Sequence, residues 1–281
     1  MKKDEMKLSC LPVSYFPCIL KGDMKIIDWA SEASGLELDG IDLTRLFLKD
    51  ASNIEIEKMR MGIEDLGLKV AVINTYPDFT HPDESCRERA ILETEEDIRK
   101  AALAGASIVR LTAGQAHPGI SRKDGIERAV YGLSRAGDYA MKSGLVPALE
   151  NHSKPGVWDH YDFAYPSEIF IELAERLGGT PVKVLFDTAN TLAFGDDPLR
   201  VLEKVYRMTT CIHAADTLLK GEFKPCTIGG GMVPFREIFS FLRRSGYTGW
   251  ISIEEASMSG SKGISGAVEF IRRTWQESRE G

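Results

Sequence analysis

The feature that most constrains this chain is an alternation repeated eight times along its length. A short apolar, β-rich run is followed by a longer amphipathic stretch, and the cycle restarts about every 35 residues, the size of a βα unit. The strand-like runs cover residues 8–16, 38–43, 69–74, 108–112, 146–150, 182–187, 211–214 and 250–254. Helical patterns lie between them at 24–34, 56–66, 87–104, 126–142, 167–177 and 235–244. Gly35, Gly67, Gly105, Gly144, Gly178 and Gly246 follow these patterns, where a helix end calls for a left-handed residue. A last pattern, Ala267, Phe270, Ile271 and Trp275, has helical spacing and can complete an outer ring.

Repeated β-then-α units with right-handed crossovers make a parallel sheet covered by helices. Eight of them predict a single (β/α)8 TIM barrel of class α/β spanning residues 1–281, with no linker or low-complexity tract to divide it. The alternative is a doubly wound open sheet, but no G-x-G-x-x-G follows the first strand to support its dinucleotide-binding form. With 43% hydrophobic and 27% charged residues, the chain is neither disordered nor a disulfide-stapled miniprotein. It carries 35 basic and 42 acidic side chains, a net charge of −7, which argues against nucleic acid as a partner. The five cysteines form no C-x-x-C pair, and their odd number does not suit a closed disulfide framework. Asp4, Glu5, Pro12 and Pro17 interrupt what would otherwise be a leader-like start. No apolar run approaches the roughly 18 residues of a membrane span. These features lead us to expect a cytoplasmic protein without a membrane partner; homo-oligomerisation is left open.

Active sites of such barrels lie at the C-terminal ends of the strands. The fifth run delivers Glu150, followed by Asn151 and His152. The sixth delivers Asp187, the seventh His213 and the eighth Glu254. Taken singly, each is as well explained as a solvated loop residue or a helix cap. On four successive strands they converge on one axis, where three carboxylates repel unless a cation joins them. One imidazole with three carboxylates is a hard-to-borderline donor set, suited to Mn²⁺, Mg²⁺ or Co²⁺, with Zn²⁺ as a further candidate.

These motifs resemble the xylose isomerase-like barrels, in particular the sugar-phosphate isomerase/epimerase group. The resemblance rests on Glu150-Asn151-His152, on Asp187-Thr-Ala-Asn190, on His213-Ala-Ala-Asp216 and on Gly246-Tyr-Thr-Gly-Trp-Ile-Ser-Ile-Glu254, in that order along the chain. It implies that Glu150, Asp187, His213 and Glu254 hold a divalent metal, and that Glu150 and Glu254 are the catalytic acid/base pair. Two departures bear on substrate. Asn190 stands where ketose epimerases of the group usually have His, and Gly229-Gly230-Gly231 lacks the acid of the related G-E-G loop.

The chemistry that fits is proton transfer beside a carbonyl, through a cis-enediolate of a small carbohydrate. His152, Asn190, Asp216, Arg110, Lys224 and Trp158 are the candidate substrate-binding residues. Asp216 is also a candidate partner for His213, and Arg110, a charge inside an apolar strand, is expected to pair with a site carboxylate or a substrate anion. For Asp216 a helix cap or loop acid is an equal reading, and for Lys224 a solvated lysine is the plainer one. A lyase or dehydratase acting on a keto-inositol or 3-keto-glycoside needs the same enolate and is the competing function. An endonuclease IV-like phosphodiesterase shares the barrel, but the histidines are few and the net charge is wrong for DNA.

Overall fold

The computed structural model describes residues 6–278. In chain order the strands are β1 (Lys7–Leu11), β2 (Gly40–Thr44), β3 (Lys69–Asn74), β4 (Ile108–Leu111), β5 (Val146–Glu150), β6 (Lys183–Asp187), β7 (Thr209–Ala214), β8 (Thr217–Leu219), β9 (Glu222–Pro225) and β10 (Trp250–Glu254). The helices are α1 (Phe16–Lys21), α2 (Ile26–Gly35), α3 (Arg45–Leu48), α4 (Asn53–Asp65), α5 (Glu84–Leu103), α6 (Arg122–Lys142), α7 (Ser167–Arg176), α8 (Thr188–Phe194), α9 (Pro198–Val205), α10 (Phe235–Arg244) and α11 (Gly260–Glu277). Eight strands pair in the order β1-β10-β7-β6-β5-β4-β3-β2, every pairing parallel. The result is a nearly closed (β/α)8 barrel. At the β1–β2 seam the Asp39 amide donates to the Leu8 carbonyl at 2.9 Å, and the Leu8 amide donates to the Asp39 carboxylate at 2.8 Å. An aspartate side chain therefore does part of the work of a strand ladder there.

Side chains alternate across each strand, and the barrel uses that period to separate floor from mouth. Val72, Ile108, Ala148, Leu185, Cys211 and Trp250 belong to an apolar cluster inside the barrel. Two residues further along the same strands stand Asn74, Arg110, Glu150, Asp187, His213 and Ser252, all buried. The outward residues join the helices in the larger hydrophobic core.

The first strand is shorter than its apolar run suggests. It stops at Leu11, because Pro12 has no N–H to continue the ladder; a 3-10 turn over Val13–Tyr15 and the helix α1 follow. The sixth strand likewise begins at Lys183 rather than at 182. Between β6 and β7, where no helical pattern stands out in the sequence, lie two short helices, α8 and α9, and the β8–β9 hairpin projects after β7. Gly67, Gly105, Gly144 and Gly246 take positive φ after their helices as expected. The helix α2 instead runs through Gly35, and the left-handed turn falls to Glu37 at φ 56°. The five cysteines are free. Among the described residues no helix is long and apolar enough to cross a membrane.

Candidate metal centre

The tips of β5, β6, β7 and β10 meet. Glu150, Asp187, His213 and Glu254 each offer a ligand atom, and these atoms all lie within 4.8 Å of one another. That spread is roughly twice a metal–oxygen bond of ~2.0–2.6 Å, so one ion can touch all four. His213 presents Nδ1 to the cluster, 2.8 Å from Glu150 Oε1 and 3.0 Å from Glu254 Oε2. Three of the four residues are buried, and Glu254 keeps 22% of its side chain exposed.

Local sequence explains how the tips are aligned. Asn151 reaches across to β6: its Oδ1 accepts from the Asp187 amide at 2.7 Å, and its Nδ2 donates to the Asp187 carbonyl at 2.8 Å and to Thr191 Oγ1 at 2.9 Å. The middle residue of Glu150-Asn151-His152 thus latches one ligand-bearing strand to the next. Asp187 caps α8, where its Oδ1 accepts from the Asn190 amide at 2.6 Å, leaving the other oxygen for the centre. Thr188 ties β6 to β7, donating to the Ala215 carbonyl at 2.7 Å and accepting from the Ala215 amide at 3.1 Å. Of the two glutamates that end β10, Glu254 faces the centre. Glu255 turns toward the 3-10 turn after β1, where Ser14 Oγ donates to it, and it also accepts from the Ser257 amide in its own loop.

Arg110 explains itself once the neighbouring strands are in place. Its Nε lies 2.9 Å from Asn74 Oδ1 and 3.1 Å from Glu150 Oε2, and Nη1 donates to the Thr75 carbonyl at 2.9 Å. The guanidinium also sits 4.7 Å above the Tyr76 ring. Asn74 in turn donates to the Leu43 carbonyl at 3.0 Å, so β2, β3, β4 and β5 are joined through one arginine.

The electrostatics describe a site short of positive charge. Burial alone would raise Glu150, but Arg110 and then His213 hold its carboxyl down at about 2. Asp187 lies far above the usual carboxylate range, first through burial and then through repulsion from Glu254 and Glu150. His213 is raised despite its burial, chiefly by Glu150. Protons are thus held where a divalent ion would relieve the same repulsion, and the oxygen-and-imidazole donor set suits such an ion.

The remaining candidates have different fates. His152 is half-buried beside Glu150 with its Nδ1 unpartnered, and burial pushes it down to about 4, so it is neutral near neutrality. Asn190 is buried with its Oδ1 unpartnered. Trp158 is buried in the loop after β5. Lys224 is exposed on β9, with its backbone amide bound to Thr217 Oγ1 at 2.9 Å. Asp216 organises a loop: its carboxylate accepts from the amides of Thr217, Gly229 and Gly231 at 2.9 Å each and of Val233 at 3.2 Å. A Cβ on Gly231 would lie 2.2 Å from Asp216 Oδ1, which accounts for glycine there.

The sequence matches the Xylose isomerase-like TIM barrel family over residues 27–274. The chain belongs to this family. It is 27% identical over 146 residues to an inosose dehydratase of Lacticaseibacillus casei, a match covering 46% of each chain, so it spans about half the length of that relative. A putative hydroxypyruvate isomerase of Streptomyces coelicolor is 24% identical over 212 residues, 71% of this chain and 74% of that one. The crystal structure of a D-psicose 3-epimerase from Clostridium cellulolyticum H10 superposes with a TM-score of 0.77 at 14% identity, covering 96% of this chain and 99% of the other; at that identity the likeness is one of fold. Sugar epimerases and dehydratases are among the relatives and structural neighbours of this family member.

Two further groups escape a reading along the sequence. His81, His117 and His160 come from three separate loops and have no informative spacing, yet their rings meet edge to face at 4.8 and 5.7 Å, with His117 Nε2 2.8 Å from Asp78 Oδ2. Asp42, buried within β2, lies 3.8 Å from His213 Nε2. Its signal was the one that marks Arg110, a charge inside an apolar strand.

Proposed function

We propose that this chain is a divalent-metal-dependent isomerase or epimerase of a sugar or sugar derivative. The observation that carries the reading is the convergence of Glu150, Asp187, His213 and Glu254 within 4.8 Å. These four residues would hold the ion, which supplies Lewis-acid polarisation of a substrate carbonyl when bound. The protein's own groups then divide the proton work. Glu150 is kept ionised by Arg110 and is available as a base, with Arg110 restraining its Oε2. Glu254, partly open to solvent, returns a proton, to the neighbouring carbon in isomerisation or to the opposite face of the same carbon in epimerisation. Neutral His152 and Asn190 would bind substrate hydroxyls, a role supported by the unpartnered His152 Nδ1 and Asn190 Oδ1.

A second reading is elimination from a keto-inositol or 3-keto-glycoside. It shares the first proton abstraction, and the likeness to an inosose dehydratase favours it. One experiment separates the two. The Mn²⁺-supplemented protein is incubated in D₂O with a panel of ketoses, keto-inositols and 3-keto-glycosides. Deuterium gained without other mass change supports isomerisation or epimerisation, and loss of the mass of water supports the dehydratase. Glu150→Gln and Glu254→Gln are each expected to abolish exchange; full exchange in both variants overturns the acid/base assignment.

A further inference from the structure

We infer that Asp42 is the positioning carboxylate of His213, fixing the imidazole so that Nδ1 is the atom offered to a bound divalent ion. The inference rests on the metal-site reading above and adds to it a residue outside the four ligands.

Asp42 has 0% exposure, in the middle of a strand whose every residue is buried. A carboxylate in such a place is unfavourable unless charge or hydrogen bonds compensate it. Ser252 Oγ donates to Asp42 Oδ2, while Oδ1 has no partner. Among the described residues, His213 is the cation-capable side chain within ion-pair distance of Asp42, with Nε2 3.8 Å from Oδ2. Nε2 is itself buried and has no hydrogen-bond partner. The separation exceeds a hydrogen bond, and a shift of roughly 0.8 Å closes it.

The two ring nitrogens therefore face two different sets of acids. Nδ1 faces Glu150 and Glu254 at 2.8 and 3.0 Å; Nε2 faces Asp42. A neutral imidazole carries one N–H, and the ligand atom must be the other nitrogen. With the proton on Nε2, its dipole points at a buried carboxylate and the Nδ1 lone pair is free for the ion. With the proton on Nδ1, the ligand atom is lost and Asp42 faces a lone pair across a low-dielectric interior. Asp42 selects the first tautomer. Asp216, three residues beyond His213, cannot do this, because four backbone amides already occupy its two oxygens.

The test uses Mn²⁺ alone as probe, with free Mn²⁺ followed by electron paramagnetic resonance during titration of the full chain. Asp42→Asn keeps the shape and loses the charge; Asp42→Val removes both acceptor oxygens. Each is expected to weaken Mn²⁺ binding, by about tenfold for Asn and up to about a hundredfold for Val. Circular dichroism and the thermal midpoint of the metal-free protein are expected to stay near those of the parent. Nitrogen-15 spectra of the Zn²⁺-loaded parent are expected to place the remaining His213 proton on Nε2. Parental Mn²⁺ affinity in a folded Asp42→Asn or Asp42→Val protein overturns the inference, as does a His213 proton on Nδ1. Absence of saturable Mn²⁺ binding in the parent overturns the metal-site reading itself, and the inference with it.

Discussion

Arg110 shows how one side chain can join stability to chemistry. It is 2% exposed and its partner Glu150 is 0% exposed, so neither charge has water to fall back on. Such a pair adds little net stability compared with an apolar replacement of both, but removing one member strands the other. Arg110→Met is therefore expected to destabilise the metal-free fold by about 3 kcal/mol. The same variant loses the restraint on Glu150 Oε2 and is expected to lower solvent exchange into substrate sharply. Urea denaturation and deuterium uptake measure the two effects; a stability change below ~1 kcal/mol contradicts the uncompensated-charge account. Arg110→Lys keeps the charge but loses the planar fork that reaches Asn74, Thr75 and Glu150 at once, and should fall between.

At the scale of elements, the helices of the outer ring reach the site through what they press against. The helix α6 carries Gly132 against Phe79, in the loop that follows β3 and contains Tyr76. A Cβ at 132 would come within 2.3 Å of Phe79 Cγ, and the ring is fully buried. Alanine favours a helix over glycine by about 1 kcal/mol, but overpacking at this distance costs about 1–3 kcal/mol. Gly132→Ala is expected to lower the thermal midpoint by a few degrees, because the buried Phe79 ring has no solvent side to yield toward; an unchanged or raised midpoint in calorimetry contradicts this. The helix α4 offers a pH-dependent case. Ser52 and Glu55 form a capping box, in which Glu55 Oε2 accepts from the Ser52 hydroxyl at 2.7 Å and its amide at 2.8 Å. Those bonds lower Glu55 below its ordinary 4.5. A carboxylate depressed in the folded state stabilises above its unfolded pKa and loses that contribution as pH falls through its folded value. The first turn of α4 should therefore fray first on acidification below about pH 4.5, seen as faster amide exchange, and the pH dependence should vanish in Glu55→Gln.

At the scale of the whole molecule, the barrel gathers negative charge at one mouth, and a cation bound there would couple to the stability of the whole fold. Ion bound at a hundred times its dissociation constant adds about 2.7 kcal/mol to the stability of a fold that alone binds it. Mn²⁺ is expected to raise the thermal midpoint, and a chelator to reverse the change. Asp187→Asn should abolish that response. It should also raise the midpoint of the metal-free protein, because Asp187 is held far above its usual range by burial and by Glu254 and Glu150. A Mn²⁺ response that survives in Asp187→Asn would place the ion elsewhere. Calorimetry with and without chelator reads all three outcomes.

The strand-and-helix alternation and the inward period of two follow from local backbone geometry, so the barrel and the tips Glu150, Asp187, His213 and Glu254 could be read from the chain alone. The first strand was overread because a proline can sit within an apolar run while its missing N–H ends the ladder, and the short helices after β6 have too little length for a clear period. Proximity across strands is different in kind. That Asn151 latches Asp187, that Arg110 finds Asn74 and Glu150, that Asp216 is spent on the 229–233 loop and that Asp42 faces His213 all depend on register and barrel closure. Partners 13 to 171 residues apart leave no spacing in a single sequence, because the interactions that join them exist only after the sheet has curled.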